Sequence, residues 1–275
     1  MRDLAAVTGA TGGLGAAYAR ALAARGHDLL LTDRDPETLE RLAAELRTSA
    51  RVEVEVAAAD LALDVDVERV QARLAARDDL ALLVNNAGFG TFALFHEADL
   101  TRQLDMVHVH VVASLRLCHA VLPRMVARRS GAIVNVASAG AFMRFSRDAT
   151  YIGTKSFLVA FTECLAVELA GTGVRVQAFC PLWVRTGFDA ADDLRAAGFR
   201  SPVPGPLVIS PERAVAASLA ALDKGTVTYI PTARARVATT IIGSRAGRAV
   251  LAEIRKRRAT RAVDPERPAP PAPPA

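Results

Sequence analysis

The sequence predicts an α/β protein: a doubly wound parallel sheet in a single domain, with a helical extension at its C-terminal end. Three observations predict it. Short apolar runs alternate with stretches of helical periodicity, the rhythm of strands joined by crossover helices. A glycine-rich turn, TGATGGLG at residues 8–15, separates the first apolar run from the first helical stretch. The other polar motifs, Asp33, Asp60 and residues 85–88, directly follow apolar runs, so all four fall at carboxyl ends of strands, where such a sheet opens its ligand crevice.

Composition supports this architecture and narrows the function classes. The 275 residues, 51% hydrophobic, supply ample core for one large α/β domain, and the dominance of Ala, Val and Leu suits helices packed on buried parallel strands. The expected division is 1–232 for the main domain, 233–262 for a basic amphipathic helix and 263–275 for a disordered Pro-rich tail. The net charge of +5 is local: from Arg234 onward ten Lys and Arg face three acids, +7, which leaves −2 for the first 233 residues. The main domain has no basic stripe with interleaved aromatics, so no nucleic acid partner is expected. The chain opens without an apolar signal core, and no uninterrupted apolar segment reaches spanning length, so a soluble cytoplasmic protein is expected. Cys118, Cys164 and Cys180 are odd in number and without metal spacing, which predicts reduced core cysteines and no metal site.

Taken in order, LAAVT at residues 4–8 is the first strand, and AAYARALAARG after the glycine turn is the first helix. A strand, a glycine turn and a helix in succession bring backbone N–H groups and a helix N-terminus to where a pyrophosphate can sit. The candidate residues of this turn are Gly9, Thr11, Gly13, Leu14 and Gly15. The second strand, residues 27–32, ends at Asp33, eighteen residues past Gly15. A carboxylate there accepts from both ribose hydroxyls of an adenosine and repels a 2′-phosphate, which favours NAD; Arg34 beside it pairs with such a phosphate, which keeps NADP as the alternative. Asp33 reads equally as a cap for the helix opening at Pro36. A helix at 36–47, a strand at 52–58, a helix at 65–76 and a buried strand at 80–84 follow, the last running into Asn85-Asn86-Ala87-Gly88. A long helix spans 101–129, and the strand 133–137 ends at Ser138.

The chemistry concentrates in SAGAFMRFSRDATYIGTK, residues 138–155. Tyr151 and Lys155 are four apart, so a helix sets both on one face. A nearby cation lowers the pKa of a phenol and makes it a usable acid or base. Only three lysines (Lys155, Lys224, Lys256) stand among 34 Lys and Arg, so an ammonium at this place is a choice of geometry and hydration over a guanidinium. Ser138 reads either as a group that holds a substrate carbonyl oxygen or as an ordinary turn residue.

In order and spacing, TGATGGLG, Asp60, NNAG, Ser138 and YIGTK resemble the short-chain dehydrogenase/reductase family over residues 3–230. The resemblance implies a Rossmann fold, an NAD or NADP cofactor, and hydride transfer to or from a hydroxyl or carbonyl carbon of a small molecule. It implies Tyr151 as acid/base, Lys155 as the group that lowers its pKa and binds the nicotinamide ribose, and Ser138 as the group orienting the reacting oxygen. Asp60 and Leu61 would contact the adenine, Asn86 with Ala87 and Gly88 the adenosine side, and Pro181, Val184 and Thr186 the nicotinamide end. A homodimer or homotetramer through the helices at 101–129 and 150–169 is implied as well. Two departures stand out. His110 occupies the place of an asparagine that holds a relay water, so it is either a modified relay or a buried structural imidazole. In CPLWVRT, residues 180–186, Leu182 replaces the usual glycine.

Residues 187–211 are rich in Gly, Pro and small side chains and are expected to form a substrate lid, with Trp183, Phe188, Phe142, Phe145 and Phe199 as an apolar pocket or ordinary core. A last helix at 212–222 and strand at 227–230 complete the domain. Beyond it Val237, Ile241, Ala246, Val250 and Ile254 share one face of an arginine-rich helix, which docks on the protein itself or touches an anionic membrane or a partner.

Overall fold

The computed structural model describes residues 2–144, 147–185, 208–244 and 247. The chain runs β1 (Leu4–Thr8), α1 (Gly13–Ala24), β2 (Asp28–Asp33), α2 (Pro36–Ala50), β3 (Val54–Ala58), α3 (Asp64–Ala75) and β4 (Leu80–Asn85). It continues through α4 (Leu100–Val107), a π-helical segment (His108–Ala113), α5 (Ser114–Ala127), β5 (Gly131–Val136), α6 (Ala149–Glu168), β6 (Val174–Phe179), α7 (Pro211–Asp223), β7 (Thr228–Tyr229) and α8 (Ala233–Gly243). The seven strands form one sheet in the order β3-β2-β1-β4-β5-β6-β7, parallel throughout. The doubly wound sheet expected from the sequence is present, and the strand order reverses direction between β1 and β4.

β1 shows why continuous apolar runs make such a sheet. Its five residues are all buried. Ala5 and Val7 pack on one side with Leu22 of α1, Leu39 of α2 and Val215 of α7. Leu4 and Ala6 pack on the other with Val70 of α3, Leu117 of α5 and Leu165 of α6. Side chains alternate across a strand, so a strand covered on both faces has no polar phase.

Three local features bear on the sequence expectation. The cap of α2 is Asp35, whose carboxylate accepts from Glu37 N–H at 3.0 Å; Asp33 is therefore released from the capping role. The long helix is interrupted by the π segment, within which Val109, His110 and Ala113 are buried. The helix Leu100–Ala127 is also long and apolar enough, by length and composition, to cross a membrane, although Arg102, Asp105, Arg116 and Arg124 interrupt its apolar run. Here Leu117, Cys118, Val121 and Met125 are core residues, and Arg116 is tied to Asp64 and Glu68 of α3, so in this fold its apolarity builds the layer over the sheet. The expected lid residues 187–207, with Phe188 and Phe199, and Phe145, Ala246, Val250, Ile254 and the tail lie outside the described residues.

Candidate functional site

The glycine turn is folded against the end of β4 by close backbone contacts. Gly9 has φ +62°, and a Cβ on it would stand 2.7 Å from Ala87 Cα; one on Gly15 would stand 2.0 Å from the Gly9 carbonyl oxygen. Asn86 tightens the junction, its Nδ2 donating to the carbonyls of Thr8 and Gly9 at 3.0 and 2.9 Å. Thr8 Oγ1 accepts from the N–H groups of Asn86 and Ala87 at 3.0 and 3.1 Å. Gly13 and Leu14 open α1, which has no side-chain cap at Gly12 and no acid in its first turn. An uncapped twelve-residue helix thus aims its N–H groups into the crevice, a cradle that suits a pyrophosphate.

Asp33 stands beside this cradle. Its Oδ2 accepts from Thr11 N–H at 2.8 Å and from Thr11 Oγ1 at 2.6 Å, and its Oδ1 from Arg34 N–H at 2.7 Å. The Arg34 side chain is exposed next to it, so the two opposed charges read in the sequence share one rim. Asp60 Oδ1 accepts from Ala62 N–H at 3.0 Å, and Leu61 is buried in the core with its carbonyl bonded to His108 Nδ1 at 3.0 Å.

Ser138, Tyr151 and Lys155 meet at the carboxyl ends of β5 and β6. Ser138 Oγ accepts from Gly140 N–H at 3.0 Å and shares a hydrogen bond with the Tyr151 hydroxyl. Lys155 Nζ lies 5.8 Å from the centre of the Tyr151 ring and donates to the Val136 carbonyl at 2.8 Å. The expected lowering of the phenol by the ammonium is corrected by the structure. Burial pushes the Tyr151 phenol up to about 12, opposed by the Ser138 hydrogen bond and reinforced by Asp148. Burial also pulls Lys155 down to about 8 and pushes the Asp148 carboxyl up to about 6. Desolvation penalises the charged form of each group, and it is the largest cause in all three.

His110 is fully buried. Its Nε2 accepts from Phe89 N–H at 3.1 Å and its Nδ1 meets Thr154 Oγ1 at 2.8 Å. Of the two readings, the geometry is that of a buried structural imidazole, since protein groups take both ring nitrogens.

A family model described as short chain dehydrogenase matches residues 3–195. The chain belongs to this family. Among curated relatives, "Inactive hydroxysteroid dehydrogenase-like protein 1" of Homo sapiens is 33% identical over 189 residues, 68% of this chain and 57% of that protein. "Very-long-chain 3-oxoacyl-CoA reductase-A" of Danio rerio is 33% identical over 246 residues, 86% of this chain and 73% of that one. The chain thus spans little more than half the length of the human relative. Among solved structures, a short-chain dehydrogenase from Sphingobium yanoikuyae in complex with NADPH superposes with TM-score 0.78 at 30% identity, covering 97% of this chain and 98% of that one. The bulky-bulky ketone specific alcohol dehydrogenase from Comamonas testosteroni gives 0.75 at 27%, covering 98% and 97%.

In this short-chain dehydrogenase the remaining candidates divide. Pro181 is buried and its carbonyl accepts from Ala139 N–H at 2.9 Å, next to Ser138. Val184 bridges to Ile209, while Thr186 lies outside the described residues. Cys118 and Cys180 are core residues as expected, but Cys164 is exposed because its position on α6 faces away from the sheet. No group of three or more metal-ligating side chains is present among the described residues. Helix α8 buries Ala235 and Thr239 and leaves Val237 and Ile241 exposed; its C-terminal Gly243 lies so near Phe142 that a Cβ would stand 2.7 Å from that carbonyl oxygen, so α8, the described part of the expected extension, packs beside the site. Sequence reasoning missed Thr8, Thr154, Asp148 and the Val136 carbonyl. Thr8 was open to discovery as the hydroxyl ending β1; the other three act through packing that spacing does not encode.

Proposed function

We propose that this chain is an NAD(P)-dependent oxidoreductase acting on a hydroxyl or carbonyl carbon of a bulky, mostly apolar small molecule. The observation that carries the reading is the hydrogen-bonded Tyr151 and Ser138 hydroxyls beside buried Lys155, on the same sheet edge as the glycine cradle. The cradle and Asp33 have the chemistry to hold a dinucleotide by its pyrophosphate and adenosine ribose, and a bound nicotinamide would supply or accept the hydride. The rest falls to the chain. Ser138 holds the substrate oxygen, and Tyr151, protonated at neutral pH, gives its proton to a carbonyl oxygen as the carbon is reduced. Lys155 keeps positive charge beside that exchange. Bulky apolar substrates fit the bulky-bulky ketone specificity of the Comamonas enzyme and the names of the curated relatives.

The test is turnover of NADH and NADPH by purified protein with a panel of bulky ketones. Tyr151→Phe should lower kcat by about 10²–10⁴-fold and leave cofactor affinity almost unchanged; a variant as active as the parent contradicts the role given to Tyr151. A second reading, a dinucleotide-binding regulator without turnover, is favoured by the word "inactive" in the name of the human relative. Tight cofactor binding with no oxidation by any carbonyl would select it. A homodimer or homotetramer is part of the proposal, because Leu100 and Leu104 of α4 and Phe157 of α6 stand exposed at 61%, 58% and 39%. A monomeric mass by light scattering across a dilution series would remove that part.

A further inference from the structure

We infer that His110 is a positioning residue, an imidazole kept neutral in one tautomer that ties the loop after β4 to the first turn of α6 and so fixes where the Tyr151 phenol stands. The role rests on the oxidoreductase reading above; the tautomer and the tie do not.

The hydrogen-bond polarity can be followed from one end. Phe89 N–H has only a proton to offer, and it points at Nε2 from 3.1 Å, so Nε2 carries none. A neutral ring then has its proton on Nδ1. That proton is given to Thr154 Oγ1 at 2.8 Å, and the single hydroxyl proton of Thr154 goes on to the Tyr151 carbonyl at 2.8 Å. The series is directional from the loop, through the imidazole, to the backbone of Tyr151 itself. Both ring nitrogens are engaged, so a relay water has no ring atom to hold it.

Packing makes the same assignment. The ring stands edge-on to Phe89 at 6.1 Å and to Tyr151 at 5.8 Å between centroids. A Cβ on Gly88 would lie 2.7 Å from Nε2 and 3.4 Å from Lys155 Nζ, so a glycine lets the loop close over imidazole and ammonium together. The π segment presents His110 inward alongside Val109. A second ring proton would set two N–H groups against each other in a fully buried site. It would also add positive charge near Lys155; from α6 the facing titratable groups are Lys155 and Tyr151, and the loop brings Gly88 and Phe89, which carry no charge. The imidazole is consequently a strut between three elements rather than a proton carrier.

Two experiments test this on the full chain. In the first, ¹⁵N-labelled protein is titrated from about pH 5 to about pH 9, the range in which an ordinary histidine changes charge, with the His110 signals identified by their loss in His110→Asn. The expected result is a neutral Nδ1–H pattern that does not move; an Nε2–H pattern or a titration within the range overturns the inference, and neither needs turnover. In the second, His110→Phe and Thr154→Val are each expected to lower kcat by about 10- to 100-fold, the scale of a small misplacement of reacting groups. KM for cofactor should stay within about threefold, the inflections of the pH–rate profile should be kept, and the double variant should be no worse than the poorer single one, since both break one series. Unchanged kcat in Thr154→Val, or a lost inflection in His110→Phe, overturns it. A wild-type protein with the expected ring signals and no turnover at all would instead count against the oxidoreductase reading.

Discussion

Lys155 should write its burial into the pH dependence of stability. It is 5% exposed, and burial pulls its ammonium from an ordinary 10.5 to about 8. Between those values the unfolded chain holds a proton that the folded chain has released, so stability rises with pH through the window. The contribution is complete above 10.5 and is lost as the pH falls through 8. In full it amounts to about 3 kcal/mol, at ~1.36 kcal/mol per unit, and roughly 1.3 kcal/mol of it falls between pH 7 and pH 9. Lys155→Met keeps an unbranched chain but cannot exchange a proton. The Val136 carbonyl loses its donor, a cost of about 1–3 kcal/mol that does not vary with pH. Urea unfolding of both proteins at the two pH values reads the difference directly. Cys118 and Cys180, whose thiols burial pushes up to about 12, lower stability as the pH rises past 9, but both proteins contain them, so their effect cancels to first order. Wild type should gain roughly 1.3 kcal/mol on the variant from pH 7 to pH 9; a flat or falling difference would refute the assignment of a depressed, buried ammonium.

Two further outcomes concern the cofactor cradle. Gly15→Ala puts a Cβ 2.0 Å from the Gly9 carbonyl and 2.7 Å from Asn86 Nδ2, a clash with backbone that no rotamer relieves. It should destabilise by at least about 1–3 kcal/mol and abolish dinucleotide binding, and calorimetric titration that finds wild-type affinity would show the turn to be looser than described. Asp33→Ala leaves Thr11 without its acceptor and Arg34 as the remaining charge on the rim. The ratio of NADPH to NADH affinity should rise about tenfold or more, or about 1.4 kcal/mol; an unchanged ratio would mean that neither residue reads the ribose.

Much of this was legible in the sequence because parallel sheets leave two strong marks, continuous apolar strands and motifs at their carboxyl ends. β1 to β5 lie within two residues of where the apolar runs placed them. Adjacent aspartates were harder: Asp33 and Asp35 both precede α2, and the choice of cap depends on which backbone turns back, which gives Asp35 to Glu37 N–H and Asp33 to Thr11. The π segment has no mark of its own in the apolar pattern, since adjacent buried pairs such as Val109 and His110 occur in the regular helices α5 and α6 as well. Thr154 reads as one more small residue on α6 until the imidazole on the neighbouring helix is placed against it.

The Tyr151–Lys155 pair marks where spacing stops informing. Four residues on a helix do bring the ammonium near the ring, at 5.8 Å, so the geometric half of the sequence argument holds. Its electrostatic half weighed only the attraction. Two unit charges about 6 Å apart at an effective dielectric near 20 interact by roughly 3 kcal/mol, about two pK units, whereas full burial moves a titratable group by as much as ~3–5 units. Burial acts on both partners, raising the phenol and lowering the ammonium; the Ser138 hydrogen bond lowers the phenol and the Asp148 charge raises it further. Desolvation wins, and the free protein holds the proton on Tyr151. A phenol that already carries its proton is a general acid ready for a carbonyl oxygen, whereas oxidising an alcohol requires that proton to leave first. The same burial that defeats the sequence argument on pKa therefore leaves Tyr151, at neutral pH, in the protonated form that can donate to a carbonyl oxygen in the chemistry proposed for this site.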